Sequence, residues 1–192
     1  YRELSGTLQL KIAENASRDI KGNTINPDTT TITDFVDFIK PEVRYKYSNS
    51  DIDYDGKTFK MEFDIVDKYL STITLNDASQ LKILIDGEEP NWDSTGVNGV
   101  TRNLTYTETK ATINGQSKTV GRHYTLKLSH LEQLEKLAGK DTMDYSGIIT
   151  VAIPEGVATD TTKHGNAGTT ITSGINILAG ETTTDGKVVD VV

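Results

Sequence analysis

The sequence predicts an all-β fold, a sandwich with one short bridging helix at about 129–139. Three observations lead there. Of 192 residues 28 are threonine, a β-branched residue that suits half-exposed strands. Phe59 to Ile65 (FKMEFDI) alternates apolar and polar with a period of two, the pattern of a strand with one dry face. Asn114-Gly115 stands between two alternating runs, Leu104–Ile113 and Lys118–Leu128, the strongest short-range hairpin signal.

The other elements follow in chain order. Asp34 to Ser48 alternates on either side of Pro41. Proline cannot donate to a ladder, so this reads as an edge strand that breaks and resumes. Leu70 to Leu75 is a weaker apolar segment, a short turn or strand, and Leu81–Ile85 is a strand ended by Asp86-Gly87. Asn91 to Val100 holds Gly96, Gly99 and the only tryptophan, and is expected to be an exposed loop. In SHLEQLEKLAGK (129–140), Ser129 and Glu132 have capping-box spacing, Leu131, Leu134 and Leu137 recur every third residue, and Gly139 is a C-terminal stop. These features predict the helix. Ile148–Ile153 and Thr169–Ile177 complete the strands.

An internal repeat sets the boundaries. SGTLQLKIAE from Ser5 is echoed by SGIITVAIPE from Ser146. Each echo runs on to an aspartate and a Gly-Asn pair (Asp19 with Gly22-Asn23, Asp160 with Gly165-Asn166), then to TTIT, at 30–33 and 169–172. The offset is about 140 residues, and Val36–Ile39 (VDFI) is echoed again at Val189–Val192 (VDVV). The simplest account is a chain cut from a tandem array. Residues 1–33 are then the C-terminal hairpin of a preceding repeat or an N-terminal extension, 34–178 a complete domain, and 179–192 a linker and the start of the next repeat.

Composition narrows the function. Lys plus Arg number 20 against 28 Asp plus Glu, a net charge of −8. That disfavours nucleic acid, whose binding needs clustered cations, and an anionic membrane surface. The absence of cysteine removes disulfides, thiolate zinc sites and cysteine nucleophiles. No apolar run approaches the roughly 18 residues of a membrane-spanning helix.

VDFIKPE, IDYDGKTFKMEFDIVDKY, LEQLEKLAG and the final IPEG…D…GN hairpin resemble the immunoglobulin-like repeats of large bacterial surface and adhesion proteins. The resemblance covers nearly the whole chain and rests on strand endings and turns. It implies an extracellular, non-catalytic immunoglobulin-like module at the cell surface or wall, acting as stalk, spacer or adhesion unit. Its partners would be neighbouring repeats of the same chain and a host protein or glycan, with no membrane insertion of this segment. Some such modules carry Lys–Asn isopeptide bonds or calcium between domains. The alternative is a carbohydrate-binding or accessory module of a secreted glycan-active enzyme.

Four features carry candidate chemistry. Asp51, Asp53, Asp55 and Gly56, followed after five residues by Glu62, satisfy the calcium-loop pattern D-x-[DN]-x-[DN]-G-x5-E. Three aspartates at alternate positions could supply several of the six to eight oxygens calcium takes. The flanks read as strands and not helices, so the other reading is an Asp-Gly turn with solvated acidic residues. Trp92, beside Asp93 on the exposed loop, is a candidate contact for a carbohydrate or protein; the other reading folds it back over the end of the sandwich. The Asp160…Gly165-Asn166 turn could ligate calcium or owe its residues to positive φ angles. Lys40 or Lys46 with Asn176 are conceivable isopeptide partners. His123, His130 and His164 lack metal-ligand spacing, and neither a phosphate loop nor a G-x-S-x-G elbow is present.

Overall fold

A computed structural model describes residues 5–11, 18–23, 31–45, 52–54, 58–134 and 145–177. The chain forms two compact units, Tyr1–Lys40 and Pro41–Val192. In the first, β1 (Ser5–Lys11) pairs antiparallel with β2 (Thr31–Asp37), from Ser5 opposite Asp37 to Lys11 opposite Thr31. β2 runs on past residue 33. The break expected at Pro41 is present, but the edge strand does not resume beyond it: β2 ends at Asp37, and the next strand, β3 (Glu42–Arg44), belongs to a different sheet.

The second unit is all-β and sandwich-like. Its largest sheet holds β3, β4 (Ile52–Tyr54), β5 (Thr58–Val66), β8 (Thr101–Ile113) and β9 (Gln116–Ser129), in the order β3-β5-β9-β8 with β4 also on β5. A three-stranded sheet has the order β12-β10-β7, from Thr169–Ile177, Tyr145–Ile153 and Lys82–Ile85. β6 (Leu70–Ile73) and β11 (Ala158–Asp160) pair with each other.

The period of two in the sequence becomes the core. Phe59, Met61, Phe63 and Ile65 of β5 are all at most 2% exposed, as are Tyr124, Leu126 and Leu128 of β9. They share one cluster with Ile83 of β7 and with Ile149, Val151 and Ile153 of β10. Each such side chain contributes roughly 1.5–3 kcal/mol by leaving water. Tyr124 stacks on Phe63 at 5.0 Å and donates its hydroxyl to the Leu75 carbonyl at 2.9 Å, so its polar end is satisfied inside.

The hairpin turn is as expected: Asn114 and Gly115 have φ of 51° and 76°, the two positive values of a type I′ turn. The β8–β9 ladder slips between Thr109 and Lys110, which face Gly121 and Thr119 and leave Val120 as the extra residue. At Gly121 a Cβ would lie 2.6 Å from the Ile65 carbonyl oxygen, so glycine lets β9 approach β5 there. β8 stands at the end of its sheet, with Thr105 to Thr112 exposed.

The helix expected at 129–139 does not form over its described part. Ser129 is the last residue of β9, opposite both Thr58 and Thr101, so it cannot cap a helix. His130 then turns left-handed at φ 62°, without a side-chain cap bond, into a single 3₁₀ turn, Leu131–Gln133. The apolar spacing has a core role all the same, since Leu131 is fully buried and Leu134 packs against the core. Residues 135–139 lie outside the described residues.

Candidate functional site

Six aspartates serve turns. Asp19, Asp37, Asp67, Asp77, Asp93 and Asp160 each accept, on Oδ1, the backbone N–H two residues on, at 2.6–3.1 Å. A short carboxylate can thus stand in for a turn's backbone acceptor. Such bonds favour the charged form. Asp93 is held down to about 2, chiefly by the N–H groups of Asn98 and Thr95. Asp19 and Asp77 are lowered too, with the Asn23 and Ser79 side chains as the main causes.

Asp160 is the most enclosed of these, 1% exposed at the end of β11. Burial pushes its pKa up, but the bonds from His164 and Thr162 together outweigh burial and lower it. A carboxylate oxygen of Asp67, itself buried at the end of β5, lies within 4.8 Å of one of Asp160. Two carboxylates this close repel unless a proton or a cation lies nearby. Together they could offer a hard cation such as calcium two of its oxygens. Asp67 went unremarked in the sequence; its only signal there is an acidic residue closing an alternating strand. Thr162 Oγ1 and Asp160 Oδ2 both approach the same ring nitrogen, Nδ1 of His164, at 2.9 and 3.0 Å. A nucleophile–base–carboxylate relay needs one partner on each nitrogen, so this trio is not one.

The Asp160 loop has a twin in the first unit. Asp160 N–H donates to the His164 carbonyl, Lys163 N–H to the Asp160 carbonyl, and the N–H groups of Thr162 and His164 to Asp160 Oδ1. Asp19 makes the same four bonds with Asn23, Gly22, Lys21 and Asn23. A fifth joins each Oδ2 to a side chain, Asn23 Nδ2 at 2.8 Å and His164 Nδ1 at 3.0 Å. The strands agree as well. Adding 141 to each β1 number and 139 to each β2 number turns their ladder into that of β10 and β12: Ser5–Asp37 becomes Ser146–Asn176, and Lys11–Thr31 becomes Ala152–Thr170.

This corrects the matching of the two Gly-Asn pairs. The counterparts of Gly22 and Asn23 are Lys163 and His164, and the positive φ lies at Gly22 (84°) and Lys163 (69°) rather than at Gly165 or Asn166. Gly165 instead bridges Thr159 and packs against Gly156. Asn166 is fully buried and clamps the hairpin: Oδ1 accepts from Ala158 N–H, and Nδ2 donates to the Pro154 and Ala167 carbonyls.

Of the calcium-loop candidates, Asp51 and Asp55 lie outside the described residues, and Asp53 is placed in β4, its backbone opposite Lys60. Glu62, at the twelfth position, is engaged on the sheet: its oxygens lie 2.6 Å from Lys60 Nζ and 3.6 Å from His123 Nε2. His123 Nδ1 is 2.7 Å from Asp64. Trp92 is half-buried against the core, donates Nε1–H to Glu89 at 2.9 Å and carries the Arg102 guanidinium 4.4 Å from its ring centroid. Lys40 is exposed, and Lys46 and the Asn176 side chain lie outside the described residues.

An open cleft of about 380 Å³ lies between β6 and the β8–β9 hairpin, with Glu108, Lys118 and Arg122 on its wall. Arg122 is already committed, donating to the Leu75 carbonyl and Asn76 Oδ1 and stacking on Tyr106 at 3.9 Å. Among the described residues no helix is long and apolar enough to cross a membrane. No family model matches the sequence, and neither a curated protein nor a solved structure matches the chain.

Proposed function

We propose that the chain is a non-catalytic, immunoglobulin-like repeat of a bacterial surface protein, an extracellular stalk or spacer that can also present an adhesive surface. What supports this reading is the equivalence of the two hairpins, residue for residue in register and bond for bond in the aspartate loop. A chain that spells the same closing hairpin twice reads as successive units of an array. The mechanism is then repetition: each unit adds length, neighbouring units of the same chain are its first partners, and a host protein or glycan is met by the assembly. The net charge of −8 keeps such an assembly soluble.

The test joins one, two and three copies of the 192-residue chain end to end and measures X-ray scattering. A stalk gives a maximum dimension that grows in proportion to copy number. A maximum dimension rising only as the cube root of mass would overturn it. So would a specific glycan ligand lost in Trp92→Ala at an unchanged melting temperature, which would establish the accessory-module alternative.

A further inference from the structure

Leu8 and Leu10 lie on one face of β1 and are 59% and 55% exposed. Their counterparts under the same register are Ile149 and Val151, which are 1% and 0% exposed in the second unit's core. The residue just before them agrees too: Thr7 faces water, as does its counterpart Ile148. The ladders differ in one respect. β10 has a strand on each side, β12 and β7, whereas among the described residues β1 has β2 alone. In the second unit the third strand sets Ile85 opposite Ile149 and Ile83 opposite Val151.

We propose that β1 is the central strand of a second sandwich, and that the open edge and the Leu8–Leu10 face are covered by an immunoglobulin-like unit of the same kind lying N-terminal to residue 5. This rests on the repeat reading above and names the partner of the first hairpin. The covering strand is antiparallel to β1 and sets aliphatic residues opposite Leu8 and Leu10. Opposite Lys11 it carries a neutral or acidic residue. Lys11 replaces Ala152, which faces Lys82, and like charges directly opposite one another repel.

The register dictates the test. Residues 41–141 are fused ahead of Tyr1 of the full chain, so that Ser5 follows the added segment at the spacing with which Ser146 follows its own. Hydrogen exchange then reads β1. The expected result is at least hundredfold slower exchange on the free edge of β1 than in the 192-residue chain, lost in Leu8→Asp. Lys82→Glu in the added copy should raise the melting temperature of the new sandwich. In the unfused chain Leu8→Asp should leave the melting temperature unchanged.

A smaller graft guards against a fusion that misfolds for other reasons. β10 of the full chain is rewritten with the side chains of β1 from Thr7 to Lys11, together with Lys82→Glu, and should still melt cooperatively. Loss of folding there, or an added segment that exchanges like unfolded chain beside a cooperative graft, overturns the proposal. A dimer of the 192-residue chain dissolved by Leu8→Asp also overturns it, by assigning the face to a second copy. A rod from the joined copies with no protection of β1 in the fusion would sink this inference and leave the stalk reading standing.

Discussion

The β1–β2 and β10–β12 hairpins share register and aspartate-loop bonding but differ in surroundings. Leu8 and Leu10 face water, whereas Ile149 and Val151 face the core. Asp19 is exposed, whereas Asp160 is enclosed, keeps the same five bonds and adds one from the Thr162 hydroxyl. Local chemistry is therefore enough to shape the hairpin and its loop. What the surroundings change is the energy attached to each group, and that can be measured.

The largest contrast is between aliphatic pairs. Ile149→Ala should cost about 2–5 kcal/mol by creating a core cavity, while Leu8→Ala should stay within about 0.5 kcal/mol; urea midpoints of the two variants decide it. Equal losses would mean that the two hairpins are equally covered. Next comes Asn166→Ala, expected to cost about 1–3 kcal/mol because Ala158 N–H and the Pro154 carbonyl lose their buried partner, read as a drop in melting temperature.

Asp160→Ala should cost about 1–2 kcal/mol, since enclosed N–H groups of Thr162 and His164 lose an acceptor. Asp19→Ala should leave the thermal transition in place because water takes over those bonds. The smallest effect is one of pH. Asp93 is lowered to about 2, so its folded pKa lies below its unfolded value of about 3.8. Its contribution is fully present above that value and fades as pH falls toward 2. Acid titration of the urea midpoint should therefore show a drop between about pH 4 and 2 that is shallower in Asp93→Asn.

Periodicity and turn chemistry made most of this fold legible. The alternation of Phe59–Ile65 became the buried face of β5, and Asn114-Gly115 became the type I′ turn. Sequence failed where a segment's partner overrode its local preference. Ser129 has the spacing of a helix cap, but two neighbouring strands hold it in β9. Gly165-Asn166 looks like a twin of Gly22-Asn23, but hydrogen bonding gives that role to Lys163 and His164, which share no letters with the earlier pair. Asp67 and Asp160 are distant in the chain and meet only once β5 and β11 are in place, so no spacing could reveal them. Trp92 was legible as a residue of interest, but not the Arg102 guanidinium over its ring.

β8 leaves thirteen residues of backbone at the border of its sheet, rich in threonine and free of proline. Such a border is a template for any other extended chain, and crowding many copies together multiplies the encounters. What interrupts it is charge: Arg102 near its start, then Glu108 and Lys110, which form an ion pair at 3.7 Å along the same strand. Glu108 and Lys110 hold the centre of the border in water. At high local concentration they act as gatekeepers against stacking into fibrils, a service to solubility that leaves no mark on the stability of a single molecule.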